Sequence, residues 1–246
     1  MSVPALSRLT ARSVVLSVLL GAHPAWASAA ELLRLTADFG IREPTLRVAL
    51  TRMTSAGDLV RSADGYRLSE RLLTRQRRQD DAIAPRLQRW DGAWVTLVIT
   101  SVGIDARTRA ELRKSLQDSR FGELREGVWL RPDNLDVDLP PPVRSKARVL
   151  RGYDDEPTQL AAQLWDLPGW AAGGDLLLER MTTVGDVPSR FAVAAGMVRH
   201  LLTDPVLPGE LLPPHWPGDR LRSCYAEFAA EIAARRDNPE MVEVSR

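Results

Sequence analysis

Threonine and arginine side chains recur at helical spacing between residues 43 and 56, in a pattern typical of a surface that binds nucleic acid. At about 100° per residue, one side of a helix presents Thr45, Arg47, Val48, Thr51, Arg52 and Ser55. The other side is an apolar stripe at i, i+3, i+4 and i+7, formed by Leu46, Ala49, Leu50 and Met53. Guanidinium groups donate hydrogen bonds to the edge of guanine, and short hydroxyl groups can form hydrogen bonds with several of the bases. We therefore expect four residues to contact the major groove of DNA: Thr45, Arg47, Thr51 and Arg52.

The residues before this helix predict the elements that position it. A first helix covers residues 10–22, and a second opens with the capping-box pair Ser28 and Glu31 and closes near Gly40. Pro44 then stands at the start of the third helix, where its missing N–H costs nothing. Two helices joined by so tight a turn predict a helix-turn-helix.

Residues 59–68 predict a β-hairpin, because Asp64-Gly65 separates two short extended runs. A hairpin directly after a helix-turn-helix is a wing, and Arg61 and Arg67 on it would lie against the flanking DNA backbone. A fourth helix over residues 70–83 completes a winged helix. Two alternatives stay open: the arginines form a solvated helix face, or the module docks another protein.

The 246 residues are 44% hydrophobic and 26% charged, which argues against disorder throughout the chain and against a multi-spanning membrane protein. A lone cysteine, Cys224, rules out an internal disulfide framework and a multi-cysteine zinc site. Residues 1–90 carry 14 arginines against 8 acidic residues, a net charge of +6, and the remainder carries a net charge of −5. The basic part is the one expected to meet a polyanion.

An apolar stretch near the start also resembles an export signal. Arg8 and Arg12 precede the apolar residues 14–22, and Ala25-Trp26-Ala27 fits a cleavage site. The same stretch serves as the first buried helix of the winged helix, which is the interpretation we prefer. No other stretch approaches the ~18 apolar residues of a spanning helix, so we expect a cytoplasmic protein with no membrane partner. An exported protein that loses residues 1–27 stays the alternative.

We expect an α+β protein of three domains: a winged helix over residues 1–88, a central domain over 89–156 and a helical domain over 157–246. The first boundary follows from the composition change at Trp90-Asp91-Gly92-Ala93-Trp94. The central residues predict three strands and one helix, over 94–99, 127–132, 147–153 and 105–119 respectively. This order favours a small ferredoxin-like sandwich.

The last third predicts helices over residues 159–165, 189–202 and 219–236, with a turn at Gly173-Gly174. Residues 204–218 hold five prolines and predict a stiff linker that crosses the surface or braces it. Residues from about Asn238 onward have no apolar stripe to bury. We expect the effector site and the dimer contact in this acidic part. Candidate effector-binding residues are Trp165, Trp170 and Tyr225, alongside Phe228, and plain core packing is the alternative.

No catalytic constellation stands out. No phosphate-binding loop or nucleophile elbow occurs, and metal-ligand spacing is missing among His23, His200, His215 and Cys224. A metal-dependent nuclease site needs clustered carboxylates. The strand over 94–99 ends without an acid, Asp91 lies at its start, and Asp105 stands alone in the following turn. We therefore expect no enzyme activity, no metal and no cofactor.

Three irregular stretches carry a resemblance to a known family. The first joins residues 11–14 to the turn 39–41 and the helix 45–53, and the second joins Trp90-Asp91-Gly92-Ala93-Trp94 to residues 112–113, 121–122 and 127–132. The third is Asp204-Pro205-Val206-Leu207-Pro208-Gly209-Glu210-Leu211-Leu212-Pro213 with Trp216-Pro217-Gly218. In these stretches the chain resembles the PaaX-type family, transcriptional repressors of phenylacetic acid degradation operons.

The resemblance implies an N-terminal winged helix, a central domain similar to a CRISPR-associated endonuclease, and a helical C-terminal domain. It also implies a homodimer on an inverted-repeat operator of double-stranded DNA. Release by a small-molecule effector, phenylacetyl-coenzyme A or another aryl-acyl thioester, is implied by the family alone. We therefore expect a dimeric repressor of an aromatic-acid catabolic operon. The implied likeness of the central domain to an endonuclease leaves a metal-dependent nuclease as the alternative.

Overall fold

The computed structural model describes residues 9–237 apart from residues 102, 104 and 137. Arg8 of the proposed export signal and the predicted tail from Asn238 lie outside the described residues. The chain divides into two compact units. The first contains Met1–Asp80, Leu176–Arg199 and Arg220–Arg246, and the second contains Asp81–Asp175 and His200–Asp219. The division into three domains stays a prediction.

The chain is an α+β protein, as the sequence predicts. Its first elements are α1 (Ala11–Leu20), β1 (Trp26–Ala27), α2 (Ala29–Ala37), α3 (Glu43–Ser55), β2 (Leu59–Arg61), β3 (Tyr66–Leu68) and α4 (Glu70–Ile83). The four helices and the hairpin strands fall where they are predicted. The sequence gives no sign of the two-residue strand β1, which adds to the hairpin in the antiparallel order β1-β3-β2.

Further elements follow in the order β4 (Trp94–Ile99), α5 (Ala106–Asp118), β5 (Gly122–Arg125), β6 (Val128–Pro132), α6 (Pro141–Arg144), β7 (Ala147–Gly152) and α7 (Pro157–Leu164). The chain then forms α8 (Leu167–Thr183), α9 (Val187–Leu201), a 3₁₀ turn (Gly209–Leu211) and α10 (Gly218–Asp237). The second sheet has the antiparallel order β5-β6-β4-β7. Its strands β4, β6 and β7 match predicted strands, and β5 is additional.

Local signals in the sequence explain the beginnings and turns of the first unit. Ser28 and Glu31 form the predicted capping box, with the Ser28 amide donating to Glu31 Oε2 at 2.7 Å. Gly40 has φ +66°, a conformation that costs glycine little. Gly65 in the hairpin turn is required for another reason, because a Cβ there would overlap the carbonyl oxygen of Ala27.

Helix α1 lies in the core of the first unit. Val14, Val15 and Leu19 are fully buried, which confirms the apolar stretch as a core helix within the described residues. The side-chain amide of Gln76 on α4 donates to the carbonyl oxygens at the end of α1, those of Leu19, Leu20 and Ala22. Carbonyl groups at the end of a helix lack the amide partners of a following turn, and the buried glutamine supplies a donor to them.

Two predictions for the last third of the chain are wrong. Gly173-Gly174 lies inside α8 and is not a turn. A Cβ at Gly173 would lie 2.9 Å from the His200 ring, so glycine permits the close approach of this ring to the helix. For residues 204–218 the surface-crossing alternative is wrong at Leu207 and Leu211, which are buried in one core cluster with Trp94, whereas the bracing alternative stays open.

Candidate nucleic-acid interface

Helix α3 presents the predicted side chains to solvent. On its inner side Leu46, Leu50 and Met53 are at most 2% exposed, which fixes the rotation of the helix about its axis. The outer side therefore faces solvent, and it carries the exposed residues Thr45, Arg47, Val48, Thr51 and Arg52. The rotation matches the one predicted from the apolar stripe.

The two arginines on this face differ in their partners. Arg47 donates from Nε and Nη2 to Glu43 Oε1, one turn earlier, at 2.8 Å and 2.5 Å. Within the described part of the chain, Arg52 has no ion-pair or hydrogen-bond partner. Arg47 must therefore exchange a carboxylate for any new anion, whereas Arg52 can accept an anion directly.

An apolar side chain stands among the polar ones. Val48 is 51% exposed and lines a shallow depression on α3 together with Arg47, Thr51 and Arg52. Such a group can contact a thymine methyl but offers no hydrogen bond. The Thr51 hydroxyl donates to the carbonyl oxygen of Arg47 at 3.0 Å, so it can still accept a hydrogen bond from a ligand.

The two wing arginines lie on opposite faces of the hairpin. Arg67 pairs in register with Val60, and Arg61 pairs with Tyr66. Because neighbouring side chains along a strand alternate between faces, Arg61 and Arg67 point away from each other. Both are exposed. A flat anionic surface can contact only one of these two arginines at a time. A groove into which the hairpin inserts can contact both, one on each wall.

A buried carboxylate, which sequence reasoning missed, holds the elements around α3. Asp58 is 2% exposed and lies just before β2. Arg12 on α1 donates to its Oδ2 at 2.8 Å, and Arg71 on α4 donates to its Oδ1. Arg12 and Arg71 are thus bound within the fold, although the sequence suggests free basic surface. No local pattern in the sequence links these three residues.

The three candidate effector-binding residues divide between the units. In the second unit, Trp165 stacks on Trp94 with ring centroids 6.5 Å apart, as part of a core cluster. Trp170 stacks on Trp216 at 4.4 Å and on His200 at 4.3 Å. Burial lowers the pKa of His200, although the carbonyl of Trp170 and the charge of Asp204 oppose this shift. These rings pack against one another.

Tyr225 belongs to the first unit. It lies on α10 and lines a cavity of about 370 Å³ among α1, α2, α4, α9 and α10. Burial raises the pKa of its phenol, and the charge of Asp80 adds to the shift. The tyrosine is therefore neutral and can donate a hydrogen bond to a ligand in this cavity.

The carboxylates considered for a nuclease have other roles. Asp91 accepts from Arg151 at 2.6 Å, and this hydrogen bond lowers its pKa. Asp105 caps α5 by accepting from the Thr108 amide at 2.9 Å. In the described residues, no group of three or more His, Cys, Asp or Glu side chains is arranged to hold a metal ion.

Within the described ranges, no helix combines the length and the apolar character that a membrane span requires.

Comparison with known proteins places these features in a family. The model for the PaaX-like protein matches residues 10–72, the model for the PaaX protein central Cas2-like domain matches residues 87–143, and the model for the PaaX-like protein C-terminal domain matches residues 185–238.

Two individual proteins show the extent of the similarity. The Transcriptional repressor PaaX of Escherichia coli (strain K12) is 28% identical over 232 residues, covering 82% of this chain and 73% of that protein. The solved structure of the uncharacterized protein Rv0674 from Mycobacterium tuberculosis is 66% identical, with a TM-score of 0.84, and covers 93% of this chain and 98% of that one. Matches to all three family models, in chain order, show that this chain belongs to the PaaX-type family.

Proposed function

We propose that this protein is a DNA-binding transcriptional repressor that acts in the cytoplasm. The observation that carries the proposal is the outer face of α3, where two arginines and two threonines surround an exposed valine. A relative from Escherichia coli is named a transcriptional repressor, which supports the same function. A repressor must occupy a defined site on DNA, and a rigid helix with mixed polar and apolar contacts suits that task.

We interpret α2, α3 and the β2–β3 hairpin as a winged helix-turn-helix. The order of elements supports this interpretation, because the hairpin follows directly after the helix with the exposed polar face. In this arrangement Thr45, Arg47, Thr51 and Arg52 enter the major groove, and Arg61 and Arg67 contact phosphates beside it. The basic charge of residues 1–90 would attract the duplex and make binding depend on salt.

We interpret the second sheet and its helices as a ferredoxin-like fold. The order β5-β6-β4-β7, with α5 between β4 and β5 and α6 between β6 and β7, supports this topology. The central family model carries the description Cas2-like. A nuclease is not favoured, because Asp91 and Asp105 already bind Arg151 and the start of α5. We therefore assign this part a structural role and propose no enzyme activity.

Two features of the proposal derive from the family. The repressor would bind as a homodimer, so that the half-sites of an inverted repeat lie about 34 Å apart or a multiple of that distance. An aryl-acyl thioester such as phenylacetyl-coenzyme A would release it from the operon of an aromatic-acid pathway. Release requires that the effector bind the DNA-incompetent arrangement more tightly than the competent one.

The experiment that tests the proposal is recovery of the DNA bound in the native cell, followed by footprinting of the purified protein on the recovered fragments. We expect protection of a two-fold symmetric site near a promoter. This protection should be lost when an aryl-acyl thioester is added. Uniform recovery of all sequences, with no protected site, would contradict sequence-specific repression.

A further inference from the structure

The first unit contains a cavity that no part of the DNA-binding proposal uses. Its volume is about 370 Å³, within the range of roughly 300–1,000 Å³ that small-molecule sites occupy. The end of α1 forms one wall, α4 forms another, and α9 and α10 close the remaining sides together with Leu35 of α2. The cavity is therefore bounded both by α1, which packs against α3, and by the C-terminal helices.

The inner wall of the cavity is apolar. Phe191 packs edge-on against Phe228 with ring centroids 6.0 Å apart, and both are almost fully buried. The remaining inner wall consists of aliphatic side chains: Val18, Leu20, Leu35, Val198 and Ile232. Small residues of α9 and α10, such as Ala195 and Ala229, leave the space that larger side chains would fill. An aryl or acyl group fits this chamber, since it would lose water and gain contacts on all sides.

The rim of the cavity is cationic. Arg75 on α4 and Arg199 on α9 line it, and neither has an ion-pair or hydrogen-bond partner among the described residues. Arg236 also lines it and lies 3.9 Å from Glu31. None of the described lining residues is acidic. Two guanidinium groups without counterions beside an apolar chamber match the negative end of an amphipathic ligand.

We propose that this cavity binds an amphipathic anion, with its aryl or acyl body among α1, α9 and α10 and its anionic head on Arg75 and Arg199. The neutral hydroxyl of Tyr225 offers a hydrogen bond to a carbonyl or carboxylate at the junction of body and head. A cavity of this size takes an aryl-acyl body but not a nucleotide as well. The phosphates of a thioester would therefore stay at the cationic rim.

Occupation of this cavity would change the support of α3. Ser17, Val18 and Leu20 of the cavity wall belong to the end of α1, and α1 packs directly against α3. A ligand that prefers a wider spacing between α1 and α10 would shift the population of α3 positions. This step rests on the proposed repressor function, whereas the binding site itself does not.

Calorimetric titration of the full chain tests the site with three probes: phenylacetyl-coenzyme A, phenylacetate and coenzyme A. The two probes that carry the aryl group should bind, and their relative affinity shows whether a carboxylate or the phosphates supply the head. Arg75→Ala and Arg199→Ala should each weaken binding about tenfold, the loss expected for a charge-assisted hydrogen bond. Ala229→Leu should weaken binding by filling the chamber.

The matched control is Arg77→Ala on the same helix, because Arg77 is exposed, pairs with Glu70 and does not line the cavity. It should leave the affinity unchanged. Thermal unfolding and DNA binding without ligand show for each variant that the fold persists. Aryl probes that bind all variants equally would place the ligand site elsewhere and leave the repressor function intact. If no aryl probe binds the unmodified chain, the proposed ligand class is wrong. If the unmodified chain binds the probes but does not bind DNA, only the repressor function is wrong.

Discussion

The guanidinium of Arg12 lies 2.8 Å from the carboxylate of Asp58, although 46 positions separate the two residues along the chain. Arg71 binds the other oxygen of the same carboxylate, so one buried acid joins α1, β2 and α4. Of these elements, α1 and β2 pack directly against α3 and form the frame on which it rests. The position of the proposed DNA-reading face therefore depends on a charge that is hidden from the DNA.

Replacement of Asp58 with Asn should destabilise the fold. Removing one partner of a buried pair costs about 3–5 kcal/mol when the remaining charge stays buried, but Arg12 and Arg71 are more than half exposed and can return to water. We therefore expect a loss of about 1–3 kcal/mol in the free energy of unfolding. Urea denaturation measures this change. The control is Glu70→Gln, which breaks the exposed pair with Arg77 and should change the free energy of unfolding by no more than about 0.5 kcal/mol. A denaturation midpoint unchanged by Asp58→Asn would contradict the proposed frame.

Stability should decrease as the pH falls below about 6.5, the ordinary pKa of histidine. Burial lowers the pKa of His200 in the folded chain, so the unfolded chain binds the proton more readily. The contribution of His200 to the free energy of unfolding is complete above the pKa that the histidine has in the unfolded chain. It is lost as the pH falls through the lower pKa that the histidine has in the folded chain. Chemical denaturation between pH 8 and pH 5 should show this dependence, and His200→Gln should reduce it. An identical pH dependence in the variant would show that other groups cause it.

Gly173→Ala should destabilise the second unit. Alanine favours a helix over glycine by about 1 kcal/mol, but its Cβ would lie 2.9 Å from the His200 ring. That ring cannot move freely, because it stacks on Trp170 and lies 2.9 Å from the carbonyl oxygen of Trp170. Forcing extra volume into such a site costs about 1–3 kcal/mol, and we expect a net loss of stability. Gly185→Ala, in the loop between α8 and α9 where a Cβ meets nothing within 4 Å, is the control for an unhindered glycine and should not destabilise the chain.

Val48→Ala should reduce sequence discrimination rather than general affinity for DNA. The side chain is exposed and carries no charge, so its removal changes neither the core nor the phosphate contacts. We expect specific binding to weaken by about threefold to tenfold, the scale of one lost apolar base contact, with nonspecific binding unchanged. Competition with unrelated DNA measures the two affinities. Equal weakening of both would assign Val48 to a structural role.

The sequence predicts the local features of this protein well. The stripe of Leu46, Leu50 and Met53 predicts the rotation of α3, Pro44 marks its start, and Asp64-Gly65 places the hairpin turn. These signals work because the residues involved are neighbours in sequence as well as in space. The exposure of Arg47 and Arg52 follows from the same pattern.

Features that depend on distant residues escape such prediction. The pairing of Arg12 with Asp58 has no local signature, and the same arginine reads equally well as part of an export signal. The proline-rich residues 204–218 suggest a surface linker, yet Leu207 and Leu211 are buried because Trp94 and its neighbours offer them a core. The cavity beside Tyr225 is invisible in the sequence, since five separate helices contribute to it.

The central claim is that the outer face of α3 reads DNA, and the affinity of the double variant Arg47→Ala/Arg52→Ala for its recovered operator tests it most directly. We expect loss of specific binding at moderate salt, with unchanged thermal unfolding, because both side chains are exposed. The matched control is Arg107→Ala/Arg109→Ala on α5, where Arg107 pairs with Glu111 as Arg47 pairs with Glu43. Unchanged operator affinity in the α3 variant, or equal loss in the α5 variant, would contradict the account.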